Sequence, residues 1–255
     1  MPDLSRRRLL AWGSSALVGG LAGCESISRL PILRSPVYDT TAVDQASGAA
    51  QPVEPPAIAA RTALSPLFET IERRTFDFFW NTANPANGMV PDRYPSPSPA
   101  SIAAIGFALT AYVIGADRGF VTREQARERV LTTVRFFRNA PQGAQARGAT
   151  GYKGFFYHFL DMKTGARAPK SELSTVDTAL LMGGMLHAQA FFDGEHPDEV
   201  AIRDGVDQIY WRIDWKWAQV RGQLISMGWN PEKGFIPHDW NGYNEALLVY
   251  VLALG

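Results

Sequence analysis

From Pro66 onward the chain alternates between two kinds of hydrophobic pattern. "SPLFETIERRTFDFFWNTA" sets Leu67, Ile71, Phe78 and Phe79 at near-helical spacing, with Pro66 suited to the first helical position. "SIAAIGFALTAYVIGA" is apolar nearly all round. "TREQARERVLTTVRFFRNA" is amphipathic and opens on Thr122 and Gln125 at capping-box spacing. The alternation repeats with "STVDTALLMGGMLHAQAFF" (apolar), "HPDEVAIRDGVDQIYWRIDW" (amphipathic) and an apolar stretch that starts near Tyr243. A helix that is apolar all round must be surrounded by protein, whereas an amphipathic one keeps a wet face. The apolar helices are predicted to begin near Ser101, Ser174 and Tyr243, a period of about 70 residues. The pattern predicts an all-α fold in which inner helices are backed by outer ones, an α/α barrel or toroid with about three helical hairpins present. The long loops then gather at one end, where the inner helices begin, and that end is the expected site.

Two loops carry a different periodicity. "GFFYHFLDMKTGARA" alternates and is predicted to turn at Lys163–Gly165, and "MGWNPEKGFIP" to turn at Asn230–Gly234. Short β-hairpin flaps are therefore expected to rim the site. "LMGGML" reads as a pair of helix-packing glycines.

Upstream of the periodic region the chain has another character. Arg6, Arg7 and Arg8 precede an apolar run from Leu9 to Gly23, about 15 residues, short of the roughly 20 that span a bilayer but suited to a signal segment. The arginines resemble a twin-arginine export signal, and "LAGC" resembles a lipobox with Cys24 as the lipidated residue. Residues 1–24 are thus expected to direct export to the periplasmic side and anchor the protein to a membrane. Residues 25–60, rich in Pro, Ala, Ser and Thr, read as a tether. Residues 61–255 form the expected domain. Cys24 is the one cysteine, so no internal disulfide is available. Twenty-five basic residues balance 25 acidic ones, which gives no electrostatic reason to expect nucleic acid.

The candidate chemistry lies at the predicted helix mouths. In "KSELSTVDTAL", Ser174 is an expected N-cap, Asp177 falls at the third helical position and Glu172 just outside. Ser-x-x-Asp also describes a plain cap, and acids favour helix N-termini for electrostatic reasons alone. In "HDWNGYNEALL", Asn241 can cap and Glu245 falls in the expected first turn, ahead of an unbroken apolar run. Partial desolvation there would raise the pKa of Glu245 and suit a general acid, while the helix dipole pulls the other way. His158 and Asp161 share one hairpin, and His238 and Asp239 lie on the rim. Tyr157, Trp229, Trp240 and Tyr243 are aromatics in loop segments, where a ring can stack on a flat ligand. With Asn241 they complete the expected binding surface. Four histidines and a single cysteine give no zinc spacing, and no phosphate loop, Gly-x-Ser-x-Gly or cofactor motif is present. Carboxylates at helix mouths with loop aromatics and no cofactor point to carbohydrate chemistry, for which two acids suffice.

At "GFFYHFLDMKTG", "ELSTVDTALLMGGML" and "MGWNPEKGFIPHDWNGYNEALLVYVLALG" the sequence resembles the glycoamylase-like family of bacterial exported proteins, which includes endo-β-1,2-glucanases of glycoside hydrolase family 144. The resemblance implies a six-hairpin α/α barrel, inverting hydrolysis of β-1,2-glucan without a cofactor or metal, and an acidic cleft at one barrel end. On the family pattern the acids map to Glu172, Asp177 and Glu245. Family domains continue beyond "LALG", so the resemblance covers an N-terminal half, and the inner helices are expected to keep a wet side. A sugar-binding protein without a working acid pair is the alternative, and a polysaccharide lyase, with Tyr243 or His238 as base, is a further one.

Overall fold

The computed structural model describes residues 65–255. The expected export signal, the expected lipobox at Cys24 and the expected tether all lie outside the described residues. Seven helices and seven short strands are described: α1 (Pro66–Thr82), β1 (Ala100–Ser101), α2 (Ile102–Asp117), α3 (Arg123–Asn139), β2 (Gly151–Tyr152), β3 (Phe155–Tyr157), β4 (Phe159–Leu160), β5 (Leu173–Ser174), α4 (Thr175–Phe191), α5 (Pro197–Trp211), α6 (Trp215–Ala218), β6 (Gly228–Asn230), β7 (Gly234–Phe235) and α7 (Leu247–Leu254).

Local chemistry explains most helix starts. Ser65 caps α1 by accepting from Phe68 N, and Pro66 follows at the first position, where its missing N–H costs nothing. Thr122 and Gln125 form the reciprocal capping box of α3, at 3.2 and 2.8 Å. Ser101 and Ser174 cap α2 and α4.

The helices pack in the two sets that the hydropathy separates. Apolar α2 lies against apolar α4, and α4 against α7, while amphipathic α3 lies against α5. Glycine sets the closeness of the first pair. A Cβ at Gly106 would stand 2.4 Å from the backbone oxygen of Leu180, and one at Gly184 would stand 2.1 Å from the backbone oxygen of Gly106. Only hydrogen fits at either position. Of the two glycines in "LMGGML", Gly184 is the packing one.

The amphipathic pair is pinned by an ion pair whose carboxylate is buried and whose guanidinium is partly exposed. Glu199, in the first turn of α5, is 3% exposed. It accepts Arg123 Nε and Nη2 at 2.9 Å each, and the Gly194 N–H at 2.8 Å. The Arg123 hydrogen bonds hold the Glu199 carboxyl below the ordinary carboxylate range.

Three departures from the sequence expectations matter for the site. The two flaps meet in one antiparallel sheet, ordered β2-β3-β5-β6-β7, to which the first gives β3 and the second β6 and β7. Strand β4 of the first flap pairs with β1 in a separate two-stranded sheet. β5, which reads in the sequence as nothing more than the approach to a helix cap, pairs with β3 on one side and β6 on the other, through Tyr157↔Leu173↔Trp229 and Phe156↔Ser174↔Gly228. The expected turns are present. Asp161 N donates to Ala166 O across the first, and Asn230 pairs with Gly234 across the second.

The second departure is at α7, which starts at Leu247 rather than near Tyr243. Asn244 is the reason. Its Oδ1 accepts the N–H of Ala246 two residues on, and its Nδ2 donates to Asn241 O. An Asx turn of this kind competes with helix. Ala246 is the N-cap residue and no side chain caps the helix, so the expected Asn241 cap is absent.

The third is at α1, where Leu67 and Ile71 stand in solvent and Phe76 is the buried residue. Phe107 and Ile114 of α2, and Leu247, Val251 and Leu254 of α7, are also exposed. Apolar α2 and α7 thus each carry exposed apolar residues, whereas no large apolar residue of α4 is exposed.

Candidate functional site

The mouths of α2 and α4 meet at His158. Its backbone oxygen accepts the first N–H of α2, from Ile102, at 3.1 Å, and its N–H donates to Glu172 O at 2.9 Å. These bonds fix its backbone between the two helix starts. The imidazole stacks on Phe159 with ring centroids 3.8 Å apart and planes 18° apart. Ser171 Oγ accepts the N–H of Phe159 at 2.8 Å, which fixes that partner in turn.

A carboxylate faces each imidazole nitrogen. Glu172 Oε1 lies 2.8 Å from Nδ1 and Asp177 Oδ1 lies 3.8 Å from Nε2. Asp177 is also tied to its own helix cap. Ser174 Oγ donates to Asp177 Oδ2 at 2.5 Å and accepts the Asp177 N–H at 3.2 Å. The capping and site readings of "STVD" therefore describe the same atoms: one oxygen of Asp177 is held by the cap and the other faces His158. Asp177 is 14% exposed along its side chain, against 36% for Glu172.

The electrostatics agree from both sides of the pair. Burial pushes the His158 imidazole towards neutrality. The Glu172 hydrogen bond, with the charges of Asp177, Glu172 and Asp92, outweighs it, and the pKa is raised above 6.5. Burial pushes Glu172 up, but its hydrogen bond to His158 leads the opposing effects, and the carboxyl ends below its ordinary value. Imidazolium and carboxylate stabilise one another. The Glu172 contribution is present above its unfolded pKa and is lost as pH falls through the lowered folded value. The His158 contribution is lost as pH rises through its raised folded value. The pair is intact between those limits.

Asp92 is the acid that sequence reasoning missed. It sits in the loop between α1 and α2, where its N–H donates to Pro99 O and its carboxylate pairs with Arg93. The signal was available: that loop was one of those expected at the site end, and Asp92 is its acid.

The other expected residues stand elsewhere. Glu245 is exposed, ahead of α7 rather than in its first turn, and among the described residues no hydrogen bond or ion pair joins it to His158. The desolvation expected of it is absent, because the Asn244 turn leaves it outside the helix.

Tyr157 is fully buried, with the Arg167 guanidinium 4.9 Å over its ring, so it packs rather than lines a surface. Register accounts for this. Tyr157, Leu173, Trp229 and Phe235 are directly opposed across the sheet and share one face, while His158, Glu172 and Ser174, one residue removed, take the other. Trp229 accordingly packs with Tyr152 and Trp217, at 5.1 and 5.9 Å between centroids.

Trp240 is buried, and its Nε1–H donates to Thr175 Oγ1 at 2.9 Å, supporting the first residue of α4. Asp161 forms a turn, its Oδ1 accepting from the N–H groups of Lys163 and Thr164. His238, Asn241 and Tyr243 are exposed on the loop before α7, and Asp239 there is held by Arg221. Asn241 and Trp240 border a concavity of about 330 Å3 shared with Gln219, Gln223, Tyr250 and Leu254.

Paired helices with an acid–histidine cluster where two of them begin, and short antiparallel strands beside it, describe a helical scaffold with its chemistry at one end. Known proteins of that build match the chain. Over 75% of its length it is similar to a candidate glucoamylase from Bacteroides uniformis, with 30% identity and a TM-score of 0.67. Over 74% it is similar to an endo-β-1,2-glucanase from Chitinophaga pinensis, solved with sophorotriose and glucose, with 26% identity and a TM-score of 0.65. An exo-β-1,2-glucooligosaccharide sophorohydrolase from Parabacteroides distasonis is 28% identical over 197 residues. No protein-family model matches the chain. These similarities point to the glucoamylase-like proteins and endo-β-1,2-glucanases that the three sequence segments resemble. The chain spans 47% of the length of each of the two solved structures and 26% of the sophorohydrolase.

Proposed function

We propose that this chain takes part in hydrolysis of β-1,2-linked glucan or its oligosaccharides, on an α/α barrel scaffold, with the His158–Glu172–Asp177 cluster as its contribution to the site. The observation that carries this reading is the meeting of two carboxylates and a histidine at the mouths of α2 and α4, in a chain similar to proteins named for that chemistry. Glycoside hydrolysis needs a carboxyl group that gives a proton to the leaving oxygen and another that takes one from water or attacks the sugar. Glu172 is committed to His158. Asp177 keeps one oxygen away from its cap, and it is the group we assign to proton transfer. The inverting course of the reaction follows from the family resemblance.

The test is product analysis with the full chain and β-1,2-glucan. New reducing ends without ultraviolet-absorbing unsaturation are expected, and the first product should carry the inverted anomeric configuration. Unsaturated ends would replace hydrolysis by lyase chemistry, and retention of glucan without cleavage would favour a sugar-binding protein.

Export belongs to the same reading, because a glucan polymer is met outside the cytoplasm. Its support is the Arg6–Arg7–Arg8 cluster, the apolar run and Cys24. Cys24→Ser is expected to move the protein out of the membrane fraction or to leave an unprocessed precursor. Recovery of wild type as a soluble, unlipidated chain that retains Met1 would refute the anchor.

A further inference from the structure

The cluster contains more organisation than an acid pair requires. His158 is fixed at backbone and ring. Its N–H bonds to the same residue, Glu172, whose carboxylate its Nδ1 meets, and its carbonyl receives the first N–H of α2. The ring plane is set by the stack on Phe159. Acids approach from two segments, Glu172 from the approach to β5 and Asp177 from the first turn of α4, and the charge of Asp92 in the loop before α2 adds to theirs. Of the cations nearby, Arg93 pairs with Asp92, and Arg167 pairs with Glu232 and reaches Glu172 only through its charge. His158 is therefore the group placed to neutralise Glu172 and Asp177 together.

We infer that His158 is the positioning residue of this site: its imidazolium, clamped between Glu172 and Asp177, commits Glu172 to a fixed ion pair and leaves Asp177 as the carboxylate that meets substrate. The inference deepens the proposed function and rests on it for the role of Asp177, while the clamp itself can be observed without substrate. Its consequence is a division of labour between two acids five positions apart. Glu172, at hydrogen-bonding distance, orients the ring. Asp177, a further 1 Å away from the ring and secured by Ser174, keeps its Oδ1 outside hydrogen-bonding distance of His158.

Proton NMR of the full chain tests the clamp directly. The chain has four histidines, and His158→Gln removes one imidazole signal and so assigns it. The His158 signal is expected to titrate above the ordinary histidine value. Glu172→Gln, which keeps shape and removes charge, should lower that titration more than Asp177→Asn does. An unmoved signal in Glu172→Gln would overturn the inference whether or not β-1,2-glucan is cleaved.

Kinetics supply the second arm. Loss of the imidazolium at rising pH should give kcat/KM an alkaline limb at the His158 titration point, and His158→Gln should lower the plateau and erase that limb. A residue that only supports the fold would lower stability and leave the limb in place. Cleavage that keeps this limb in His158→Gln would sink the positioning role and spare the proposed function. A shifted titration without cleavage would do the reverse.

Discussion

Asp177→Asn is expected to reduce hydrolysis by roughly 100- to 10,000-fold, the range that a positioned acid or base contributes. Asparagine has nearly the shape of aspartate and can still take a hydrogen bond from Ser174 Oγ, but it cannot carry a proton to or from an oxygen. The cap itself should survive, because the N–H of residue 177 donates to Ser174 Oγ and not to its own side chain. The stability change is therefore expected to stay below the ~1 kcal/mol that loss of a cap costs. Turnover on β-1,2-glucan and the thermal midpoint, measured together, separate the two roles. Near-normal turnover would remove Asp177 from the chemistry, and a large stability loss would make it a structural acid. Glu245→Gln makes the contrast: an exposed acid outside its helix should lose far less activity than Asp177 does.

That contrast also marks what the sequence could carry. Ser174 and Asp177 are read correctly because a helix cap is local: three residues of spacing fix which atoms meet. The same kind of reasoning fails at Glu245, where the side chain of Asn244 captures the backbone and delays the helix. A cap and an Asx turn use the same residue types, and the polar pattern does not say which forms. The faces taken by the aromatics are hidden for another reason. Tyr157 and Trp229 sit in loop segments, but which face of a sheet they take depends on pairing with β5, a strand of two residues lying 16 or more positions from its partners. Alternation assigns faces only once the strand is known. The histidine was visible as a residue but not as the centre of the cluster, since His158 and Asp177 meet through the approach of two helix mouths. The alternation of apolar and amphipathic helices, by contrast, is a property of each segment alone, and it survives into which helices pack together.

The two mouths meet because α2 and α4 touch, and the closeness of that contact gives the second large effect. Gly183→Ala and Gly184→Ala, substitutions at neighbouring positions of one helix, are expected to act in opposite directions. Alanine in a helix interior is favoured over glycine by roughly 1 kcal/mol, and both positions would gain this. At Gly183 the new methyl meets only the end of a flexible side chain, Leu248 Cδ2 at 3.1 Å, which can move aside. At Gly184 it meets backbone: Gly106 O at 2.1 Å and Gly106 Cα at 2.8 Å, well inside the roughly 3.5 Å at which atoms attract. Helix α2 can relieve that overlap only by moving as a body. Overpacking costs typically 1–3 kcal/mol and more where backbone must shift, so Gly184→Ala should be destabilised despite its better propensity. Gly184→Val, larger and β-branched, should threaten folding outright in a domain of ordinary stability, about 5–15 kcal/mol. The displacement also reaches the site, because Ile102 N at the start of α2 is bonded to His158 O. A misplacement of about 1 Å can cost 100-fold in rate, so Gly184→Ala should lose activity beyond what its unfolded fraction explains. Thermal unfolding followed by circular dichroism, with Gly183→Ala as the internal reference, reads the sign. Equal midpoints for the two alanine variants would mean that α2 and α4 do not approach this closely in solution.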